Sequence, residues 1–245
     1  AEDSFTPSDF DLAPYIRERG NRLCVEVYKR SSAAWIEDQD FFRFSGIFRS
    51  VYLYAKRSFH LADLWLQAGL EEDNATGAQS GRLLLEGEGS VHMKLSHPAQ
   101  GTLFDGPLAL APEGKYRRSQ PFRFENILPW GHGHPELYQA TLTLCGADGA
   151  VCEVAPYSIG FRRFELKDGL MLLNGRRLVL NGVNRHEWNP DTGRAINIDD
   201  MAAAIDTFKR NHINAVRTCH YPNQTAWYHL CDQNGIYVMD EANLE

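Results

Sequence analysis

The sequence predicts a multidomain β plus α/β chain, with β-sandwich material first and the opening of a (β/α)8 TIM barrel last. Three observations carry this. Short runs rich in β-branched and aromatic residues, punctuated by Gly, Asp and Asn, fill the first two-thirds. After Gly169 the pattern changes to short apolar runs separated by amphipathic helical stretches. Three segments there end in polar residues: Val179–Glu187 (VLNGVNRHE), Ala215–Asn223 (AVRTCHYPN) and Tyr237–Glu245 (YVMDEANLE). A (β/α) barrel gathers its chemistry at such strand ends.

Length and composition narrow the functional classes. With 245 residues the chain has room for two ordinary domains or one large one. Hydrophobic residues at 43% and charged residues at 23% suit a globular protein. A net charge of −7 and the lack of a long Lys/Arg run argue against a nucleic-acid partner. No stretch approaches the ~20 apolar residues of a membrane span. Ala1–Thr6 lacks the basic-then-apolar pattern of a secretory signal. The five cysteines are odd in number and scattered, which predicts a reducing, cytoplasmic setting. Cys145 and Cys152 flank the turn signal Gly146–Val151; two free thiols are expected, with a disulfide as the alternative.

Taken in order, residues 1–57 read as strand-rich, the tail end of a sandwich. Arg22–Tyr28 and Ile47–Tyr54 are its candidate strands, and the aromatic, acidic stretch Ser31–Phe44 lies between them. Residues 58–165 read as a second all-β unit. Its candidate strands are Ala62–Ala68, Leu83–Glu86, Ser90–Leu95, Phe122–Ile127, Tyr138–Leu144 and Val151–Ser158. Turn signals at Glu72–Gly77, Gly87–Gly89 and Asp148–Gly149 separate several of them, the spacing of an immunoglobulin-like sandwich or another small antiparallel fold. His132 and His134 lie among glycines without a third ligand at metal-site spacing and are expected in a solvated loop. Trp65 and Trp130 are expected in a core or interdomain contact, with sugar stacking as the alternative.

The last part, 166–245, alternates. Leu178–Gly182, Ala215–Cys219 and Ile236–Asp240 are apolar runs of the kind buried parallel strands show. Met201, Ile205 and Phe208 share one face of a helix over 197–211, with Asn197 as N-cap, acids in its first turn and bases in its last. A second helix is expected from about Gln224 to Asn234, stopped by Gly235.

This topology puts Asn184, Arg185, His186 and Glu187 past the first strand. Arg217, His220, Tyr221 and Asn223 fall at the second, and Asp240, Glu241, Asn243 and Glu245 at the third. Carboxylates, imidazoles and guanidinium groups without a cofactor fingerprint suit a substrate covered in hydroxyls, which both donate and accept. Singly, each residue reads as a cap or a structural histidine. Agreement across three consecutive strand ends favours a site, because structural caps need not share one face.

The residues also carry a likeness. Glu37–Val51 (EDQDFFRFSGIFRSV), Gly182–Glu187, Ala215–Asn223 and Asp240–Glu245 resemble the large β-galactosidases of glycoside hydrolase family 2. The resemblance implies a jelly-roll end over 1–57, an immunoglobulin-like sandwich over 58–165, and the first three barrel strands over 166–245. It implies a retaining hydrolase that releases terminal non-reducing β-D-galactose, for example from lactose. One Glu serves as acid and base and another as nucleophile, their carboxyls ~5–5.5 Å apart. In that family both stand on later strands, so the chain is expected to be an internal fragment, truncated before both and inactive alone. By the same resemblance Asp40 matches an aspartate that contacts sugar and Na+, and His186 and His220 match histidines that bind sugar hydroxyls. Arg217 matches an arginine that orients the nucleophile, and Glu245 a carboxylate that binds Mg2+. A homo-oligomeric full-length protein is also implied. Trp188-Asn189, Thr218-Cys219 and Leu244 depart from the family's usual residues. The rival expectations are another family 2 β-glycosidase such as a β-glucuronidase, and a non-catalytic carbohydrate-binding β-sandwich.

Overall fold

A computed structural model describes residues 3–37 and 39–243. They fall into two compact units. One takes in Ala1–Tyr52, Asn181–Cys231 and Ile236–Glu245, and the other Leu53–Leu180 with Asp232–Gly235.

The second unit is a two-sheet antiparallel sandwich. Its strands are β1 (His60–Leu70), β2 (Gly77–Glu86), β3 (Gly89–His97), β4 (Gly101–Pro107), β5 (Leu110–Glu113), β6 (Tyr116–Ser119) and β7 (Phe122–Phe124). A small hairpin, β8 (Trp130–Gly131) and β9 (His134–Pro135), precedes β10 (Tyr138–Gly146) and β11 (Val151–Ile159). One sheet runs β1-β2-β6-β5 with β7 also on β2; the other runs β11-β10-β3-β4. Alternate side chains point inward, as the period of two in a strand requires. Val91, Met93 and Leu95 of β3 and Tyr138, Ala140, Leu142 and Leu144 of β10 are buried in this way. Removing each large apolar side chain from water contributes about 1.5–3 kcal/mol.

Each of the six strands expected here falls on an observed one, although β7 stops at Phe124. Five strands go beyond the sequence expectation: β4, β5 and β6, whose alternation Gly106 and Pro112 interrupt, and the two-residue β8 and β9, which form a hairpin where a solvated loop was expected. Cys145 pairs across the ladder with Val151 rather than Cys152, and both cysteines are free thiols. Trp130 is buried as expected, but Trp65 is 50% exposed. The pleat accounts for that correction: Leu64, Leu66 and Ala68 take the inner face of β1, which turns Trp65 outward, where the guanidinium of its cross-strand partner Arg82 sits 5.0 Å from the ring. His134 is exposed on β9, and His132 contacts the Gly235 carbonyl through Nδ1 at 2.9 Å.

A three-stranded meander follows: β12 (Phe164–Lys167), β13 (Leu170–Leu173) and β14 (Arg176–Arg177). Its turns are Asp168-Gly169 (φ 51° and 74°) and Asn174-Gly175 (φ 52° and 75°). Tight hairpins need two left-handed residues in succession, which these dipeptides tolerate best.

In the first unit, β15 (Gly182–Arg185), β16 (Ala215–Thr218) and β17 (Tyr237–Met239) pair in parallel, in that order. Between them run α1 (Ile198–Arg210) and α2 (Thr225–Asn234). Asn197 caps α1 through the backbone N–H groups of Asp199 and Asp200, and the Asp200 carboxylate answers the Asn197 N–H. Met201, Ile205 and Phe208 bury against Val216, Trp227, Cys231 and Ile236. Gly235 ends the second helix at φ 66°, the left-handed conformation that favours glycine.

Two expectations fail in this unit. The first parallel strand starts at Gly182, not Leu178; Val179 and Leu180 are exposed, and the ladder opens with Gly182 opposite Ala215. The strands foreseen at Arg22–Tyr28 and Ile47–Tyr54 are absent; among the described residues of 3–59 only a 3-10 turn, Ser32–Trp35, forms. Leu23, Val25, Val27, Ile47, Val51 and Leu53 are exposed. A strand is stabilised by neighbours that take its backbone hydrogen bonds and cover its apolar face, and no described segment does this for either run.

Candidate active site

The ends of β16 and β17 and the segment around Asp40 close on one pocket of about 480 Å³, lined by Gln39, Asp40, Arg217, His220, Glu241, Ala242 and Asn243. The volume is that of a small-molecule cleft. Parallel pairing brings β16 and β17 into line, so their C-terminal residues open on the same side. His220 Nδ1 lies 2.8 Å from Glu241 Oε2, and Arg217 engages Glu241 Oε1 through both Nε and Nη2. At 2.8 Å from a carboxylate, His220 Nδ1 is the protonated, donating nitrogen. The Glu241 N–H in turn donates to Thr218 Oγ1.

Asp240 faces away from this trio. Thr218 Oγ1 and the Tyr228 hydroxyl both donate to its Oδ1 at 2.7 Å. Burial, reinforced by that bond to Asp240, pushes the Tyr228 hydroxyl well above the ordinary tyrosine range, so it remains a donor. Asn243 sits at φ 55°, its N–H on the His220 carbonyl and its Oδ1 accepting from Gln39 Nε2 at 3.3 Å.

His186, at the end of β15, stands beside His220, ring centroids 5.6 Å apart. Burial, then the nearby His220 and Arg194 charges, lowers its pKa below the ordinary histidine value and favours the neutral ring. Asp40, Arg217 and His220 therefore share one pocket, with His186 adjoining. Glu245 and Asp38 lie outside the described residues. Among the described residues the carboxylate that Arg217 meets is Glu241, a rim residue to which the sequence assigns no role.

Behind the rim sits a layer that the sequence reading did not resolve. Glu187 is 2% exposed; its carboxylate accepts from Arg49 Nη2 at 2.7 Å and the Gln224 N–H at 2.8 Å. Arg49 also donates to the carbonyls of Phe5 and Pro222. Phe5 stacks on Tyr221 at 4.0 Å, Phe41 meets both rings edge-on, and the Arg194 guanidinium lies 4.2 Å from the Phe41 centroid. Arg49 is the arginine of the Ser-Gly-Ile-x-Arg run, so that run ties the opening segment to the strand ends. Such an anchor is legible only once the fold is known, because its partners lie 138 and 173 residues away.

Glu241 makes the trio pH-sensitive. Burial works to raise its pKa, but the hydrogen bonds from His220 and Arg217 outweigh it and leave the carboxyl below its ordinary 4.5. A carboxyl with a lowered folded pKa adds stability above the unfolded value and loses it as pH falls through the folded one. Thermal unfolding followed downward from pH 5 should therefore show a loss that is smaller in Glu241→Gln. Identical slopes in the two proteins would refute this role.

Family models cover nearly the whole chain. Residues 1–57 match the sugar binding domain of glycosyl hydrolases family 2, residues 59–162 match glycosyl hydrolases family 2, and residues 164–245 match that family's TIM barrel domain. The chain belongs to glycoside hydrolase family 2. It is 50% identical over 248 residues to the β-galactosidase large subunit of Lactobacillus acidophilus, covering all of this chain and 39% of that protein. It is 46% identical over 248 residues to the β-galactosidase of Halalkalibacterium halodurans, covering all of this chain and 24% of the relative. Among solved structures, Bacteroides uniformis β-glucuronidase 3 superposes with a TM-score of 0.75 at 24% identity, covering 85% of this chain and 26% of that one. That likeness shows the fold. No helix among the described residues is long and apolar enough to cross a membrane.

Proposed function

We propose that this chain is part of a β-galactosidase, a retaining glycoside hydrolase acting on small β-galactosides such as lactose. The observation that carries the reading is the convergence of Asp40, Arg217 and His220 on one polar pocket, with His186 beside it. The two relatives described above, named β-galactosidase large subunit and β-galactosidase, support it. In this reading Asp40, His186 and His220 bind the sugar's hydroxyls, and Arg217 positions a carboxylate. The acid/base and nucleophilic glutamates lie outside these 245 residues, and the three domains span 1–57, 58–165 and 166–245. The complete protein is a cytoplasmic homo-oligomer.

The cation proposals differ in support. Na+ takes oxygen ligands, and Asp40 lines the same pocket as Gln39 and Asn243, residues of the right donor type, although the Asn243 Oδ1 already accepts from Gln39 Nε2. Mg2+ also takes oxygens, but Glu245 lies outside the described residues, so that proposal rests on the resemblance. Each ion would supply fixed positive charge beside the sugar.

A β-glucuronidase is the second reading, favoured by the fold likeness to β-glucuronidases. A glucuronide carboxylate calls for a cation to receive it. The pocket's arginine is already neutralised by Glu241, which favours the galactoside. The test compares aryl β-galactoside with aryl β-glucuronide turnover by the product of the complete reading frame that carries this sequence. Galactoside hydrolysis, weakened by Arg217→Ala or His220→Ala, is expected; preference for the glucuronide would overturn the proposal.

A further inference from the structure

The structure assigns a second chemistry to the pocket's edge: we propose that His186, Cys219 and His220 form a three-ligand site for a borderline transition-metal ion such as Zn2+. Among the described residues this is the cluster of His, Cys, Asp and Glu side chains whose ligand atoms converge, all within 4.8 Å of one another. Two imidazoles and a thiolate are the donors that Zn2+ prefers. The Mg2+ and Na+ proposals above concern hard ions that take oxygen. The site is therefore distinct in both residues and chemistry.

The geometry needs little change to close. Zn2+ binds nitrogen at about 2.1 Å and sulfur at about 2.3 Å, so tetrahedral ligand atoms stand roughly 3.5 Å apart. Reaching that from 4.8 Å takes about an ångström of side-chain rotation. His186 is partly exposed and can supply the movement, while Cys219, buried at the end of β16, stays fixed. A fourth position remains for water, since three protein ligands leave a zinc site open.

The surroundings fit as well as the ligands do. Metal-bound histidines usually donate their second ring nitrogen to a carboxylate, which orients the ring, and His220 Nδ1 already holds Glu241 at 2.8 Å. Arg217 Nη1 lies 3.6 Å from the Cys219 sulfur, where its charge balances that of a metal-bound thiolate. Because His186 and His220 are also the proposed sugar contacts, metal and sugar would exclude each other.

Co2+ tests the site directly, since a cobalt–thiolate bond gives a near-ultraviolet charge-transfer band whatever the chain's activity. Titrated into the purified 245-residue chain, Co2+ should produce this band at one equivalent, Zn2+ should abolish it, and Mg2+ should not. Cys219→Ser should remove the band. The triple variant Cys24→Ser, Cys145→Ser, Cys152→Ser should keep it. Glu241→Gln should weaken binding by roughly 10-fold or more, the size of effect known for outer-shell partners. Failure of the band to appear, its survival in Cys219→Ser, or its loss in the triple variant would each overturn the proposal.

Discussion

Glu187→Ala is expected to lower stability by about 3 kcal/mol, the low end of the range for removing one partner of a buried ion pair. Glu187 is almost wholly enclosed, while the Arg49 side chain keeps about a fifth of its surface in solvent, which softens the effect. The loss has two parts. Arg49 retains its contacts to the Phe5 and Pro222 carbonyls but no longer has a carboxylate to balance its charge. The Gln224 N–H, just ahead of α2, loses its acceptor as well. Urea unfolding of the 245-residue chain would measure the effect. The double variant with Arg49→Ala should lose less than the sum of the two single variants, because groups in direct contact are coupled. Strict additivity would mean that the pair does not act as a unit.

Trp227→Ala is the other large expectation, a loss of about 3–5 kcal/mol from opening a cavity at a fully buried aromatic. Trp227 meets Phe208 of α1 edge-on at 6.0 Å and carries the Arg185 guanidinium 3.8 Å from its ring centroid. It thus joins both helices' inner faces to β15. Burial lowers the Arg185 pKa, the nearby Glu187 charge opposes that, and the ring and Asn223 Oδ1 give the guanidinium its direct contacts. Trp227→Phe should be far milder: it keeps a ring in place and deletes an indole N–H that has no hydrogen-bond partner among the described residues. With a urea dependence of 1–3 kcal/mol per molar, the alanine variant's midpoint should fall by roughly 1 M or more. Equal midpoints for the Phe and Ala variants would show that the ring does not hold this core together.

The parts of the fold visible in the sequence were those whose signal is local. Met201, Ile205 and Phe208 announce α1 by spacing, and Asn197 announces its cap. The long strands β1, β3 and β10 show enough alternation to be found. What escaped depends on partners far along the chain. Arg22–Tyr28 has the composition of a strand, yet composition cannot reveal that no described neighbour pairs with it. The size and apolar body of Trp65 suggest a core or interdomain contact, whereas the alternation of β1 turns it outward. Asp168-Gly169 and Asn174-Gly175 were legible hairpin signals that the apolar run around them obscured. At the site, strand-end polarity located Arg217 and His220, but Glu241 as their common partner needed the parallel register of β16 and β17. Cys219 read as a departure from a familiar pattern, and only the turn at the end of β16 sets its sulfur beside two imidazoles.

The contacts that seat the opening segment join residues far apart in the chain: Arg49 to Glu187 across 138 positions, Arg49 to Pro222 across 173, and Gln39 to Asn243 across 204. During synthesis, residues 3–52 emerge before β15, β16 and β17, the strands on which they are seated. Domains ordinarily fold in order of emergence. Here the stretch 3–52 must wait for strands made more than a hundred residues later, and closing so long a loop carries its own entropy cost. Through that interval its exposed aromatics, among them Phe42 and Phe44, have no seat, and newly made chains would depend on chaperones most at that point.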